Sequence, residues 1–465
     1  MKKAIVVGAG LAGSYMAYVL GQKGYAVQVY EKRPDPRKSV YGSGRSINLV
    51  VSDRGWTAFK YAGIEAEIRK ITVPAYGRQI HDLEGNQSYF PYSIEGKAIH
   101  SISRSELNQT LVELAEENPA ISVQFEHFCT HIDFELGEVT FDRKGETVRE
   151  RADLIIGADG TGSAVRGAMM KQPRFNFTQE YIDSGYKEVH IPAAADGSPQ
   201  LNLDALHIWP RREFMLMGLA NTDNGFTGTV FAPFTGEYGL DQLKTGKDGL
   251  RYFEKYFNNA IPLIPNLEEQ WENNPTSALA IIRCKPYHWG TKTALIGDAA
   301  HATVPFYGEG MNGSLEDARV FCELLDEWGH ENLPTVMERY TALRVPAGNA
   351  LVDLSLRNFI EMRDLVADPE FQLRKRIEQK VQKNHPDKWT PLYTLVKFTN
   401  IPYHDAMAEG ERHDRIMAKV LATENIEERW DSDEGRTNGA GIARNYGLNT
   451  PPVLIQSTLP SNEVR

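Results

Sequence analysis

Three short turns carry most of the chemistry visible in the sequence. Gly8-Ala9-Gly10-Leu11-Ala12-Gly13 follows the apolar run Ala4-Ile5-Val6-Val7, and Asp159-Gly160 follows Leu154-Ile155-Ile156-Gly157-Ala158. Gly297-Asp298 follows Ala294-Leu295-Ile296, with Gly308-Glu309-Gly310-Met311-Asn312 close behind. A glycine-rich turn between a buried strand and a helix suits a pyrophosphate. Gly8 permits the tight turn, Gly10 lets backbone approach the phosphates, and Gly13 lets the helix sit close to the sheet. The helix start at Leu11 and Ala12 adds unpaired N–H groups and the positive end of a dipole. Glu31 closes the next apolar run, Tyr25 to Tyr30, about twenty residues on, where an acid can hold ribose hydroxyls. These residues describe a site for an adenosine diphosphate-containing nucleotide, FAD or NAD.

The second and third turns bring further groups to that crevice. Asp159 falls at the carboxyl end of a strand, although an Asp there also suits a helix cap. Asp298 can bind the hydroxyls of a ribityl chain. N–H groups near Met311 and Asn312 can face the electron-accepting edge of an isoalloxazine and stabilise negative charge on it. Arg45, in the loop Gly42-Ser43-Gly44-Arg45-Ser46, is a natural phosphate partner if it lies above the pyrophosphate.

Elements able to position these groups follow from pattern. Strands alternate with helices at both ends of residues 1–345, a signature of a parallel, Rossmann-like sheet. The stretch from Lys32 to Asn48 reads as loop, and Ser52 to Lys70 as one helix. Residues 74–103 have the grammar of hairpins, a candidate insertion reaching over the active site. Ser103, with Glu106 three residues on, is suited to cap a helix. The strand Ile121–Phe125 and its successor Val139–Phe141 return the chain to the nucleotide domain. Residues 172–280 are rich in strands and read as an antiparallel sheet, its aromatics either filling a core or lining a pocket. A helix from Ser314 to Glu327 follows the third turn. Beyond 345 the chain is helical, and Asn358 interrupts the apolar stripe Leu351, Leu354, Met362 and Leu365, either satisfied locally or aimed into a cavity. The fold expected is α/β plus α+β. Its parts are a FAD-binding domain (1–171, resumed at 281–345), a substrate domain (172–280), a helical cap (346–425) and a polar tail (426–465).

With 51 basic and 62 acidic residues among 465, the net charge is −11, which argues against general nucleic-acid binding while leaving room for a local basic pocket. The three cysteines, 129, 284 and 322, lack metal-ligand spacing and read as reduced thiols, so no metal site is expected. Without a leader sequence or an apolar run long enough to span a bilayer, a cytoplasmic protein is expected.

The three turns in this order resemble those of the single-component, class A flavoprotein aromatic hydroxylases. Gly44-Arg45-Ser46-Ile47-Asn48-Leu49, Tyr186-Lys187-Glu188, Ala205 to Pro210, and Pro305-Phe306 through Gly310-Met311-Asn312 are similar to the kynurenine 3-monooxygenase branch of that family, to about residue 410. The resemblance implies bound FAD, NADPH as transient reductant, O₂, and hydroxylation of L-kynurenine through a flavin C4a-hydroperoxide, a step of tryptophan catabolism needing no side-chain nucleophile or metal. By position it implies that Arg78 and Tyr92 hold the substrate carboxylate, with Asn358, Tyr393, Glu361, Met362 and Phe306 in the pocket. Arg104 and Cys129 match FAD contacts. The branch has Gln where this chain has Glu309, so Glu309 is expected to be protonated, salt-bridged or turned away from the flavin. A soluble form, without the C-terminal membrane anchor of eukaryotic relatives, is expected, and the resemblance leaves the oligomeric state open. Two other readings predict different behaviour: a hydroxylase of another aromatic compound needs no clamp at Arg78 and Tyr92, and a non-catalytic flavin-binding redox sensor shows no substrate-stimulated NADPH oxidation.

Overall fold

Strand Lys3–Val7 is almost wholly buried, which is why it reads as an unbroken apolar run. It pairs in parallel with Ala26–Tyr30 on one side and Leu154–Gly157 on the other. Ile121–Gln124 and Thr293–Leu295 extend the parallel sheet outward, and the short antiparallel strand His288–Trp289 completes its six strands. Helices Leu11–Gln22 and Gly310–Trp328 bury Met16, Leu20, Leu315 and Phe321 in the core around this sheet. The structure, a computed structural model, describes residues 1–38, 47–92, 96–362, 368–431 and 441.

A second sheet of seven strands runs in the order Ser277–Lys285, Asn176–Ile191, Phe226–Ala232, Phe214–Ala220, Ala205–Arg211, Gly77–His81 and Gln87–Pro91. Pairing is antiparallel throughout except between Ala205–Arg211 and Gly77–His81, which run parallel. The hairpin expected in 74–103 therefore forms and extends this sheet. Alternation divides the sheet's side chains between two faces. Trp209, Phe214, Leu216, Phe226 and Val230 share one core with Phe253 and Trp271 of helices Gly246–Tyr256 and Leu267–Asn273. Residues of opposite parity, Arg78, Leu206, Met217 and Phe231 among them, occupy the other face.

Several expectations are corrected. The chain between 52 and 70 is two helices, Asp53–Ala62 and Glu65–Arg69, because Gly63 takes a left-handed conformation (φ 76°) that ends the first. Asn48 begins a strand, Asn48–Val51, which joins Thr72–Ala75 and Ile99–Ser103 in a three-stranded sheet. The strand expected at Val139–Phe141 forms as part of Glu138–Arg143, in an antiparallel meander with Phe128–Asp133 and Glu146–Arg151 that packs Val139 and Phe141 into the core of the nucleotide sheet. The helix expected from Ser314 starts at Gly310, which puts Met311 and Asn312 in its first turn. Ser103 does accept a hydrogen bond from Glu106 N and caps Arg104–Glu116.

The chain divides into two compact units, Met1–Phe359 and Ile360–Arg465. In the second, helices Pro369–Asn384 and Tyr403–Leu421 contribute Leu373, Ile377, Val381, Ile416, Met417 and Val420 to a small core that also holds Trp389. Asp368 caps the first of these helices and Pro369 starts it. Ile426, expected in a polar tail, is buried in the same core at the start of Ile426–Arg429. Leu365 and most of the tail lie outside the described residues.

Candidate active site

The three turns meet at the carboxyl ends of adjacent parallel strands. Gly8 has φ 103°, and a Cβ placed on it falls 2.5 Å from Ala158 O beside Asp159; one on Gly13 falls 1.9 Å from Gly8 O. These two glycines are required by the protein's own packing. Gly10 is different. Its backbone is ordinary extended chain, and a Cβ there meets nothing of the described residues within 4 Å. The space beside Gly10, at the start of helix Leu11–Gln22, is thus open for a phosphate, and the residues present fit a bound dinucleotide.

Around that space the predicted residues are placed as follows. Leu11 and Ala12 begin the first helix, and Asn108 of helix Arg104–Glu116 donates to Ala9 O at 3.1 Å. Glu31 Oε2 accepts from Ala9 N at 2.8 Å, while Oε1 accepts from Arg33 N and Nε. Burial works to raise the Glu31 pKa, but the Arg33 hydrogen bonds outweigh it and hold the carboxyl below its ordinary range. Asp159 takes the capping geometry that its position also allowed: its carboxylate accepts from Ser163 Oγ and from the N–H groups of Ala164 and Val165. Cys129 is buried, and burial together with the charge of Asp159 pushes its thiol up to about 12. Asp298 opens a short helix, Asp298–His301; burial raises its pKa, opposed by the charges of Arg104 and His301. Arg104, exposed at the start of its own helix, therefore lies within electrostatic reach of the third turn. Arg45 lies outside the described residues.

Asn312 does more than present an N–H. Its Oδ1 accepts from Ser52 N at 3.1 Å and its Nδ2 donates to Val50 O and Gly308 O, tying the start of helix Gly310–Trp328 to strand Asn48–Val51. Met311 beside it is buried. Glu309 is fully buried, and its two carboxylate oxygens accept from Ser52 Oγ at 3.1 Å and from Asn312 Nδ2 at 3.3 Å.

On the other face of the seven-stranded sheet, the Arg78 guanidinium stands over the Tyr92 ring at 5.4 Å from its centroid. Phe306, in the turn Pro305–Tyr307, packs against Phe231 of that face (5.0 Å between centroids) and stacks on Phe359 (4.4 Å). Asn358 donates to Phe306 O at 2.8 Å, the local partner that its place in an apolar stripe allowed. The structure thus joins Arg78 to Tyr92 and Phe306 to Asn358. Glu361, Met362 and Tyr393 belong to the second unit, where Tyr393 opens an edge-on contact with Phe398 in the segment Leu392–Lys397 and just beyond it.

A buried ionic network behind the third turn was missed by sequence reasoning. Glu316 accepts from Arg54 Nη1 (3.0 Å) and Arg344 Nη1 (2.7 Å), and Arg344 Nε donates to Asp317 Oδ1 (2.6 Å). Asp317 Oδ2 meets both Gly297 N (2.9 Å) and His301 Nε2 (2.6 Å). Burial would raise both carboxyls, but Arg344 and its neighbours hold them below their ordinary range. The signal available was charge at helical positions that should be apolar: Glu316 and Asp317 sit beside Leu315 and Ala318 in a helix otherwise turned inward.

A parallel sheet with an open glycine turn and two further turns at its carboxyl edge define a dinucleotide-binding protein. The family model described as "FAD binding domain" matches residues 1–355. Solved structures share the fold: 2-methyl-3-hydroxypyridine-5-carboxylic acid oxygenase aligns with a TM-score of 0.64 over 79% of this chain and 94% of its own, at 20% identity. Pseudomonas aeruginosa PqsL, solved with 2-aminobenzoylacetate, aligns with a TM-score of 0.62 over 78% and 97%, at 19% identity. Among curated relatives, kynurenine 3-monooxygenase of Christiangramia forsetii is 44% identical over 93% of this chain and 97% of its own. The enzymes of that name from Flavobacterium johnsoniae and Anopheles gambiae are 42% and 38% identical, over 93% and 90% of this chain and 96% and 86% of their own. The chain belongs to the kynurenine 3-monooxygenase family. No helix among the described residues is long and apolar enough to cross a membrane.

Proposed function

We propose that this chain hydroxylates L-kynurenine, using NADPH and O₂, at the ring carbon ortho to the aromatic amine, to give 3-hydroxy-L-kynurenine. The observation that carries the reading is the Arg78–Tyr92 pair on the sheet face where Phe306 packs. A guanidinium beside a phenol is a directional, charge-assisted partner for an amino-acid carboxylate, and aromatic side chains farther along the same sheet face suit the ring. Relatives bearing the kynurenine 3-monooxygenase name support this substrate over other aromatic compounds.

The oxygen-activating chemistry comes from FAD once NADPH has reduced it. The chain's own part is to bind and orient. Gly10 and the first helix start receive the pyrophosphate, Glu31 the ribose, Asp298 the ribityl chain, and the N–H groups of Met311 and Asn312 the flavin edge. Arg78 and Tyr92 fix the substrate's polar end, with Asn358 adding a polar contact, so that the ring, already activated by its amine, is held in place and away from water.

The test is anaerobic reduction of the purified yellow protein by NADPH, with and without L-kynurenine, followed by product analysis after oxygen is admitted. Faster reduction with substrate and formation of 3-hydroxykynurenine are expected. Reduction indifferent to kynurenine points to another aromatic substrate, and no reduction at all to a binding or sensing role.

A further inference from the structure

The hairpin that carries Arg78 joins the seven-stranded sheet along one side only. Gly77–His81 pairs with Ala205–Arg211 on the inner side, and its hairpin partner Gln87–Pro91 is exposed along its length at the sheet's edge. The inner junction is the sheet's one parallel pairing, placing Arg78 opposite Leu206 and Ile80 opposite Ile208. A slip of one residue turns Arg78 to the opposite face, and a slip of two moves it about 7 Å along the strand. Something must fix this register.

His81 and His207 meet at that junction, on the face opposite Arg78. Their rings are joined by a 2.9 Å contact between His81 Nε2 and His207 Nδ1, and His207 Nε2 lies 2.8 Å from Asn202 O. The proton positions follow from the partners. A carbonyl only accepts, so His207 carries its proton on Nε2; its Nδ1 is then a lone pair, and His81 must donate from Nε2. His81 also stacks on Trp209 with rings 4.0 Å apart and 10° from parallel, and its carbonyl accepts from Arg211 Nη1 at 3.1 Å. Both histidines are buried, at 2% and 1% exposure, and burial depresses both pKa values, which keeps them neutral as this geometry requires. An apolar pair could fill the same space. What two imidazoles add is directionality, because their bond forms at one register only.

We propose that the His81–His207 hydrogen bond is a positioning device that sets the register of the Gly77–Pro91 hairpin against Ala205–Arg211 and so places the Arg78–Tyr92 pair, which the hairpin carries as a unit, at its station opposite Leu206 for the substrate carboxylate. The inference rests on the clamp role given to Arg78 above. Neither histidine touches substrate, and both act through the strand.

The test compares His81→Phe, His207→Leu and the double variant with Arg78→Ala, each as the FAD-loaded enzyme. Loss of the lock is expected to raise KM for L-kynurenine about tenfold, a typical hydrogen bond's worth. Turnover at saturation and FAD affinity should stay within about twofold, and the double variant should be no worse than either single one. His207→Gln, which can keep an acceptor toward His81, should restore part of the loss. An unchanged KM, additive losses, or an equal fall in kcat and FAD binding overturns the proposal. If Arg78→Ala leaves KM unmoved, the clamp reading itself fails; if it raises KM while the histidine variants do not, only the lock fails. Should the variants not fold, ¹⁵N spectra of the wild-type histidines decide: two Nε2–H tautomers coupled across one hydrogen bond are required, and any other tautomer overturns it.

Discussion

Asp317 Oδ2 lies 2.6 Å from His301 Nε2 and accepts from Gly297 N at 2.9 Å, so one carboxylate oxygen fastens both ends of the turn that carries Asp298. Its other oxygen is held by Arg344. Asp317→Asn removes the charge between Arg344 and the turn. Breaking one member of such a buried pair costs about 3–5 kcal/mol. The expected result is a lower denaturant midpoint together with faster release of FAD, followed by the recovery of flavin fluorescence.

Gly10 and Gly13 should respond to alanine in opposite ways. At Gly13 a Cβ collides with Gly8 O at 1.9 Å, so Gly13→Ala should fail to give folded protein. At Gly10 nothing among the described residues is in the way, so Gly10→Ala should fold with unchanged circular dichroism. It should nevertheless bind FAD about 10- to 100-fold more weakly, as a 1–3 kcal/mol steric cost implies. Titration of apoprotein with FAD measures this, and undiminished affinity would remove the pyrophosphate from Gly10.

Arg78→Ala should weaken L-kynurenine binding by about 10- to 100-fold, the worth of a charge-assisted hydrogen bond, with FAD affinity unchanged. Substrate perturbation of the flavin spectrum gives the first quantity and apoprotein titration the second. Equal loss of both would return Arg78 to a structural role.

Acid should destabilise the protein before its carboxylates titrate. Burial pushes His81 and His100 down to about 4, whereas in the unfolded chain each takes a proton near 6.5. Between these values the unfolded state binds more protons, so stability is complete above about 6.5 and falls as pH drops toward 4. Thermal midpoints measured across that window should decline, and the decline should be shallower in His100→Phe.

Glu309 offers a further check. Its oxygens accept from Ser52 Oγ and Asn312 Nδ2, and Glu309→Gln can keep both contacts, its Oε1 accepting from Asn312 and its Nε2 donating to the Ser52 hydroxyl, so the carboxyl is replaced without unpairing either partner. Flavin reduction and peroxide leakage should both change. Neither changing would show that Glu309 has no bearing on the flavin.

The sequence made the nucleotide site legible because its signals are local. A buried strand, three glycines and a terminal acid lie within Lys3 to Glu31, and each glycine's reason can be argued from the turn alone. The placement of Asp298 after a strand and of Met311 and Asn312 beside a helix start was legible for the same reason. What escaped depends on partners distant in the chain. Arg54, Glu316 and Arg344 satisfy one another across some 290 residues, and nothing near any of them announces the others. His81 and His207 are equally silent until two strands 126 residues apart are paired. The single helix expected over 52–70 failed at Gly63, where helical periodicity continues through a residue whose left-handed backbone ends the first segment. Asp159 shows a different limit: a carboxylate at a strand end serves a ligand or a cap equally well on paper, and only the positions of Ser163 and Ala164 assign it to the cap seen here.

Strand Asn176–Ile191 has a mechanical consequence. Over its first half it pairs with Ser277–Lys285 and sends Phe177 against the core of the nucleotide sheet; past the irregularity between Tyr181 and Gly185 it sends Val189 and Ile191 into the core under the second sheet. Sixteen residues thus form a common girder for two hydrophobic interiors. Neither interior can melt without stripping that girder from the other, so Met1–Phe359 should lose structure in one concerted calorimetric step, with the two sheets sharing a single fate.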